Sequence, residues 1–249
     1  MLETRTTGAT LAFDIYGTMI DTHGLIDRLA ASVGERAAEF SRLWRDKQLE
    51  YTFRRGLMNA YQPFPRCTRD ALNYSCAAFA ADIDAAERDA LMAAYRELPA
   101  FPGAAAALDA CRADGHRLYA FSNGLAADVR ALLAAAGLAE CFIDVISVDE
   151  IGCYKPAPAV YAHFLARSGA AAADTWLISG NPFDVLGARR CGWHSAWLRR
   201  AGVPFDPWSD TPLRDHSGRG EDWQAAPSAT LDDLGELPAA LRSACEAAN

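Results

Sequence analysis

The first pattern along the chain is a short apolar run that ends at a carboxylate. Residues 10–13 are Thr, Leu, Ala and Phe, Asp14 follows, and residues 16–18 are Tyr, Gly and Thr. A four-residue apolar run that stops at turn-forming residues is typical of a buried strand followed by a tight loop. The pattern therefore predicts a strand over residues 10–13 with a carboxylate at its C-terminal end.

A long helical segment, from residue 22 to about residue 98, follows this strand. Phe40, Leu43 and Trp44 have the i, i+3, i+4 spacing of one apolar helix face. Pro63 and Pro65 interrupt this pattern and predict a break between helices. The helices predicted after the break cover residues 68–81 and 84–97.

From about residue 103 the pattern changes to alternating helices and strands. The predicted helices cover residues 103–113, 126–136, 158–168 and 182–191. The predicted strands cover residues 117–121, 143–148, 175–179 and 195–198. Such alternation indicates a parallel sheet with helices on both faces and a ligand crevice beyond the carboxyl ends of its strands. A long surface loop, rich in Pro, Gly, Asp and Trp, is predicted over residues 203–228.

These patterns together predict an α/β fold with an inserted helical domain. We expect a core domain with a parallel sheet, formed by residues 1–20 and 99–249, and an all-helical cap formed by residues 21–98. The insertion follows the first strand, so the cap is expected to cover the crevice at the carboxyl ends of the strands.

The composition restricts the class of partner. Lys and Arg total 24 and Asp and Glu total 32, which gives a net charge of −8. An acidic chain without a basic cluster argues against nucleic acid and anionic membranes as partners. The chain has no apolar run of membrane-spanning length and no apolar signal core at its N-terminus.

The cysteines and histidines point to a reduced protein without a metal site. The seven cysteines are widely spaced without a C-x-x-C motif, and the five histidines show no metal-ligand spacing. These features argue against a disulfide framework and a zinc site and favour a cytoplasmic protein. We therefore expect no metal ion and no cofactor.

Polar side chains cluster near the C-terminal ends of the predicted strands. Singly, they have structural explanations, since Asp14 can cap a loop and Asn181 can cap the helix that Pro182 begins. Together they supply a nucleophilic carboxylate, a lysine, a second carboxylate and hydroxyl or amide donors, a set that suits catalysis through an aspartyl ester. The set is Asp14, Ser122, Asn123, Lys155, Ser179, Asn181 and Asp184.

The order of the motifs D-x-Y-G-T, S-N-G, K-P and S-x-N-x-x-D resembles the haloacid dehalogenase superfamily. The segment over residues 43–52, together with residues 57–59, is more specific and resembles the cap helix of the L-2-haloacid dehalogenases. Core and cap thus point to one subfamily. The resemblance implies a Rossmann-like core with a helical cap.

One position separates two activities of this superfamily. Its phosphatases carry an Asp two residues after the nucleophile and need Mg²⁺, whereas this chain has Tyr16 there. An aromatic wall suits an alkyl carbon, so the residue favours a dehalogenase. The alternatives are a related hydrolase that applies the same aspartyl-ester chemistry to fluoroacetate or another acid with an electrophilic C2, and, less favoured, a Mg²⁺-dependent phosphatase. A non-catalytic scaffold would have no need for Asp14, Lys155 and Asp184 together.

The resemblance also implies a role for each candidate residue. Asp14 attacks C2 of a short L-2-haloalkanoic acid with inversion, and Arg45 stabilises the departing halide. Lys155 keeps Asp14 ionised, and Asp184 activates the water that releases the D-2-hydroxy acid. Supporting roles fall to Thr18, Tyr161, Ser179 and Asn181 at the carboxylates and the water, to Ser122 and Asn123 at the substrate carboxylate, and to Tyr16, Leu49, Phe64 and Phe183 around the alkyl group.

Two residues depart from the family pattern. Asp46 stands where Gln is common, and Gly180 stands where Ser is common. Adjacent helix residues do not share a face, so Asp46 is expected to point away from Arg45, and it would repel an anionic substrate if it faced the cleft. The expected partners are a small-molecule 2-halocarboxylate and a second copy of the chain in a homodimer.

Overall fold

The fold is organised around one parallel β-sheet. A computed structural model describes residues 8–200, residue 205 and residues 226–247. Within these residues the sheet has six strands in the order β3-β2-β1-β4-β5-β6, and each neighbouring pair is parallel. The strands are β1 (Thr10–Phe13), β2 (Arg117–Ser122), β3 (Asp144–Ser147), β4 (Thr175–Ser179), β5 (His194–Leu198) and β6 (Ala229–Leu231).

Helices occur both in the predicted insertion and between the strands. The helices between β1 and β2 are α1 (Ile26–Val33), α2 (Ala37–Leu57), α3 (Phe64–Phe79), α4 (Ala85–Ala94) and α5 (Ala104–Ala113). The later helices are α6 (Ala126–Ala135), α7 (Pro158–Ser168), α8 (Pro182–Arg190) and α9 (Leu237–Ala247). This architecture confirms the predicted α/β fold. In the described part of the chain, no helix has the length and apolar character needed to cross a membrane.

Strand β1 lies in the middle of the sheet, between β2 and β4. Leu11, Ala12 and Phe13 have no exposed surface, as expected for a strand covered on both faces of a parallel sheet. The amide of Asp14 continues the ladder by donating to the carbonyl of Ile178 at 3.0 Å. The carboxyl ends of three neighbouring strands therefore meet around Asp14.

Helices α2 and α3 form the packed centre of the insertion. The indole Nε1 of Trp44 on α2 donates to the carbonyl of Thr68 on α3 at 2.9 Å. The rings of Phe40 and Phe79 pack edge to face with centroids 5.2 Å apart. Because α2 is held against α3 along its buried face, residues on its other face can project toward the sheet.

The sequence pattern placed the start of α3 wrongly. The helix begins at Phe64 rather than at residue 68, with Pro65 inside its first turn. Proline is tolerated in a first turn because amides there have no partner within the helix. Helix α4 also ends early, at Ala94 rather than at residue 97.

The C-terminal part of the chain contains two elements that the sequence pattern did not predict. Strand β6 extends the sheet beside β5. Leu237 and Leu241 of α9 are buried. Most of the surface loop predicted over residues 203–228 lies outside the described residues.

A glycine allows α7 and α8 to approach closely. Gly187 lies on α8 against the side chain of Tyr161 from α7, which has no exposed surface. A Cβ atom added at Gly187 would overlap the hydroxyl oxygen of Tyr161. The hydroxyl position of Tyr161 therefore depends on this glycine.

We expect Gly187→Ala to lower the free energy of unfolding by about 1–3 kcal/mol, the usual cost of overpacking. The loss should occur although alanine favours a helix by about 1 kcal/mol over glycine. Gly56→Ala on α2 is the matched control, because the nearest atom to its added Cβ is 4.0 Å away. Urea unfolding of both variants measures the difference. Equal stability of the two variants would contradict the close contact.

Candidate active site

Asp14 presents two carboxylate oxygens with different surroundings. Oδ2 accepts hydrogen bonds from Thr18 Oγ1 at 2.7 Å, Asn181 Nδ2 at 2.6 Å and Ser179 Oγ at 3.4 Å. Oδ1 accepts a hydrogen bond from Lys155 Nζ at 3.2 Å. A carboxylate oxygen has about two lone pairs, so Oδ2 is saturated while Oδ1 keeps capacity to react.

Lys155 is buried between two carboxylates. Its side chain is 1% exposed, and Nζ lies 3.2 Å from Asp14 Oδ1 and 2.7 Å from Asp184 Oδ2. The same Nζ donates to the carbonyl of Phe121 at 2.8 Å. Its backbone amide donates to Asn123 Oδ1 at 3.1 Å. One buried ammonium thus compensates two buried carboxylates, which would be costly to desolvate alone.

Asp184 is the second carboxylate and has no exposed surface. Burial raises its pKa above the ordinary value, the charge of Lys155 opposes this shift, and the charge of Asp14 adds to it. The hydroxyl of Tyr161 donates to Asp184 Oδ1 at 2.7 Å. Burial raises the pKa of Tyr161 well above its ordinary value, so the hydroxyl remains a donor.

Arg45 reaches from α2 to the strand ends. Its Nη2 donates to the carbonyl of Tyr16 at 3.0 Å and to Asn181 Oδ1 at 3.4 Å. Its Nη1 donates to Gln48 Oε1 at 2.6 Å. A guanidinium stays charged at physiological pH, so Arg45 brings a fixed positive charge to the edge of the sheet.

A small cavity is lined by both Asp14 and Arg45. Its volume is about 10 Å³, room for about one water. Tyr16 forms one wall and stacks against Phe64, with ring centroids 5.2 Å apart. Burial raises the pKa of Tyr16, so this wall stays neutral. The lining residues, each singled out from the sequence, are Asp14, Tyr16, Arg45, Leu49, Phe64, Asn123, Asn181 and Phe183.

The other predicted site residues lie behind this cavity. Ser122 is fully buried, and its Oγ accepts from the amide of Gly124 at 3.0 Å. Ser179 donates to Asp14, accepts from the amide of Asn181 at 3.1 Å and is also fully buried. The structure therefore brings all the predicted residues to the carboxyl ends of β1, β2 and β4.

The two departures from the family pattern have structural explanations. Asp46 is exposed to solvent, as its place next to Arg45 on α2 predicts. At Gly180 an added Cβ would lie 2.5 Å from the carbonyl oxygen of Gly17. Any larger residue at Gly180 would push apart the loops that follow β1 and β4.

Gln48 is a functional candidate that sequence reasoning missed. Its side chain is fully buried, and Oε1 accepts from both Arg45 and the hydroxyl of Tyr95, the latter at 3.1 Å. Its Nε2 donates to Thr68 Oγ1 at 2.6 Å. The available signal was its position three residues after Arg45, on the helix face that also carries Trp44. Gln48 therefore fixes one arm of the Arg45 guanidinium.

Metal-ligand clusters and disulfides are not found in the described part of the chain. No group of three or more His, Cys, Asp or Glu side chains is placed there to hold a metal ion. The two carboxylates at the site, Asp14 and Asp184, both pair with Lys155. Six cysteines are free thiols, namely Cys67, Cys76, Cys111, Cys141, Cys153 and Cys191.

Comparison with known proteins agrees with this geometry. The model of the haloacid dehalogenase-like hydrolase family matches residues 9–192. The chain is 34% identical over 229 residues to an (S)-2-haloacid dehalogenase of Pseudomonas sp. (strain YL), covering 92% of this chain and 95% of the relative. It is 36% identical over 202 residues to haloacetate dehalogenase H-2 of Moraxella sp. (strain B), covering 81% and 90%.

A solved structure shares the fold as well. L-2-haloacid dehalogenase from Xanthobacter autotrophicus, with chloropropionic acid covalently bound, superposes with a TM-score of 0.82 at 30% identity. The match covers 94% of this chain and 98% of that one. The chain therefore belongs to the haloacid dehalogenase-like hydrolases, and within them to the family of the (S)-2-haloacid dehalogenases.

We expect Lys155→Met to destabilise the protein by about 3–5 kcal/mol near neutral pH, because it leaves two buried carboxylates unpaired. The penalty should shrink toward about pH 4, since protonation of Asp184, whose pKa burial raises, then removes one of the two unpaired charges. Lys47→Met, which breaks a single ion pair with Glu50 on the surface of α2, is the matched control. Its effect should be small at every pH.

Urea unfolding of both variants at several pH values tests this account of Lys155. A loss of stability for Lys155→Met that does not change with pH would contradict the compensation of the two carboxylates.

Proposed function

We propose that this chain hydrolyses short L-2-haloalkanoic acids to D-2-hydroxy acids through an ester of Asp14. The observation that carries the proposal is that Asp14 and Arg45 line one small cavity, with Lys155 bound to both Asp14 and Asp184. Nucleophile, leaving-group site and hydrolytic base then surround one reacting carbon. The dehalogenases similar to this chain support the same assignment.

The proposal includes the predicted division into a core of residues 1–20 and 99–249 and a helical cap of residues 21–98. Helices α1–α4 all fall within the cap range. The cavity is lined from both sides, which gives the cap a direct part in the chemistry. The cap contributes Arg45, Leu49 and Phe64, and the core contributes Asp14, Tyr16, Asn123, Asn181 and Phe183.

In the first step, Asp14 Oδ1 attacks C2 of the substrate from the side opposite the halogen. The new C–O bond forms as the carbon–halogen bond breaks, and the halide leaves with the bonding electron pair. In the structure without substrate, Arg45 Nη2 donates to the carbonyl of Tyr16 and to Asn181 Oδ1. A halide that leaves toward this group would meet its positive charge. The Asp14 ester remains, with C2 inverted.

In the second step, water attacks the Asp14 carbonyl carbon while Asp184 accepts its proton. The bond between this carbon and the ester oxygen then breaks, and the proton passes to the departing alkoxide. The oxygen that Asp14 contributed leaves as the hydroxyl of the product. Thr18, Ser179 and Asn181, which donate to Asp14 Oδ2, stabilise the oxyanion. Overall, acid and water give hydroxy acid, halide and a proton.

The substrate carboxylate is assigned to the loop after β2. Asn123 lines the cavity, and Ser122 can donate its hydroxyl proton because its oxygen already accepts from Gly124. The alkyl group would contact the apolar walls formed by Tyr16, Leu49, Phe64 and Phe183. No metal ion or cofactor is required by these steps.

The two alternatives differ in their support. Haloacetates, including fluoroacetate, carry no alkyl group on C2 and therefore need the least expansion of this small cavity, and one relative is a haloacetate dehalogenase. A Mg²⁺-dependent phosphatase has less support, because Tyr16 stands where a phosphatase of this superfamily has its acid. The ring of Tyr16 is packed against Phe64 and Tyr95 and has no carboxyl to offer.

We also propose that the protein is a cytoplasmic homodimer. Leu57, Met58 and Tyr74 are exposed apolar side chains at the end of α2 and on α3, which suits a contact between copies. Light scattering should give twice the chain mass of 26.9 kDa, and a monomer would contradict the dimer. The free thiols of the described residues support a reducing compartment, which cell fractionation can test.

Halide release from the two enantiomers of 2-chloropropionate tests the proposed function. We expect the L form to give chloride and D-lactate and the D form to be inert, because only one enantiomer points its halogen at Arg45. Excess EDTA should leave the rate unchanged. Equal use of both enantiomers, or retention at C2, would contradict the pocket geometry. Loss of activity with chelator and recovery with Mg²⁺ would instead support the phosphatase.

Gln48 is expected to act as a positioning residue for Arg45. Gln48→Met keeps the side-chain length but removes the acceptor, and should lower kcat about ten- to a hundredfold. The loss should be larger for chloride than for bromide, since the poorer leaving group depends more on Arg45. Tyr95→Phe removes the other donor to the same oxygen and should cost much less. Equal losses for both halides would contradict a role of Gln48 through Arg45.

A further inference from the structure

A second cavity lies beside the catalytic one. It encloses about 430 Å³ between the C-terminal part of α2 and the segment that precedes α7. Phe53, Gly56 and Leu57 line it from α2, and Tyr154 and Ala157 line it from the opposite side. Most of its lining is apolar, so it suits a hydrocarbon rather than an ion.

One aromatic side chain separates the two cavities. Phe183 lines both the catalytic cavity and the apolar one. Its ring packs edge to face on Phe53, with centroids 5.0 Å apart. Lys155, which contacts Asp14, also lines the apolar cavity. The two cavities therefore share Phe183 as a wall, and the ring of Phe183 is held in place against Phe53.

The two cavities differ greatly in size, so a passage between them would change which substrates fit. The catalytic cavity holds about 10 Å³, which is too little for any alkyl group on C2 unless a wall moves. Rotation of the Phe183 ring would join it to the larger space. At its far end that space reaches Leu57, at the C-terminal end of α2.

We propose that the apolar cavity binds the alkyl tail of medium-chain L-2-haloalkanoic acids, with Phe53 and Gly56 as residues that set the accepted chain length. This inference rests on the proposed dehalogenase function. The carboxylate, C2 and the halogen stay at Asp14 and Arg45, and the tail passes between Phe53 and Phe183. Gly56 leaves room for it, because a Cβ added there has no neighbour nearer than 4.0 Å.

Gly56→Leu tests the proposal by filling the cavity with a side chain. Its substrates are the L enantiomers of 2-bromopropanoate and 2-bromooctanoate, with bromide release as the readout. Burial of each methylene is worth about fourfold in kcat/KM, so excluding two or more should cost about tenfold or more. We expect that loss for bromooctanoate and less than about a twofold change for bromopropanoate.

Two further variants complete the comparison. Gly56→Ala, which adds only a methyl group, should behave as the wild type with both substrates. Phe53→Ala removes one half of the Phe53–Phe183 pair and should raise kcat/KM for bromooctanoate relative to bromopropanoate. These variants and the wild type still decide the matter if Gly56→Leu fails to fold.

The outcomes separate this inference from the function on which it rests. Wild-type protein that releases bromide from bromopropanoate but not from bromooctanoate would overturn the tail site and leave the dehalogenase function intact. Equal losses on both substrates in Gly56→Leu would also overturn it. Wild-type protein inactive on both acids would contradict the proposed function itself.

Discussion

The site depends on one ion cluster, the ammonium of Lys155 between the carboxylates of Asp14 and Asp184. These groups are almost completely buried, with Nζ 3.2 Å and 2.7 Å from the two carboxylates. Such a cluster is weak as a source of stability, because desolvation offsets most of the attraction. In the proposed mechanism its value lies in holding the nucleophile Asp14 and the hydrolytic base Asp184 at fixed positions around one lysine. A protein without chemistry to perform would gain more from apolar residues at these three positions.

The second constraint is that the leaving group needs positive charge on the side of C2 opposite the nucleophile. Lys155 already contacts Asp14, on the nucleophile's side of C2. The positive charge on the other side is therefore supplied by Arg45 on helix α2. Gln48 fixes its guanidinium through one arm, while Tyr16 and Asn181 accept from the other. The hydrogen bonds of Arg45 thus join helix α2 to the loops after β1 and β4, at the proposed halide site.

Most of the fold and cavity could be predicted because their signals are local. Strand ends marked by Asp14 and Ser179 lie in short apolar runs, and parallel strands bring their carboxyl ends to one edge. Gln48 escaped prediction because its partners Tyr95 and Thr68 meet it only through tertiary packing. The sequence pattern misplaces the start of α3 because Pro65 signals a helix break, whereas in the structure it lies in the first helical turn. The apolar cavity behind Phe183 also arises from contacts between distant segments.

In the proposed mechanism, the Asp14 carboxylate, rather than water, attacks the substrate carbon. A single turnover in ¹⁸O-water, with the protein in excess over L-2-chloropropionate, tests it most directly. We expect ¹⁸O in the peptide that contains Asp14 and unlabelled D-lactate, because water enters at the ester carbonyl carbon. Lactate that carries the label, with an unlabelled Asp14 peptide, would show that water attacks C2 directly and would contradict the aspartyl-ester mechanism.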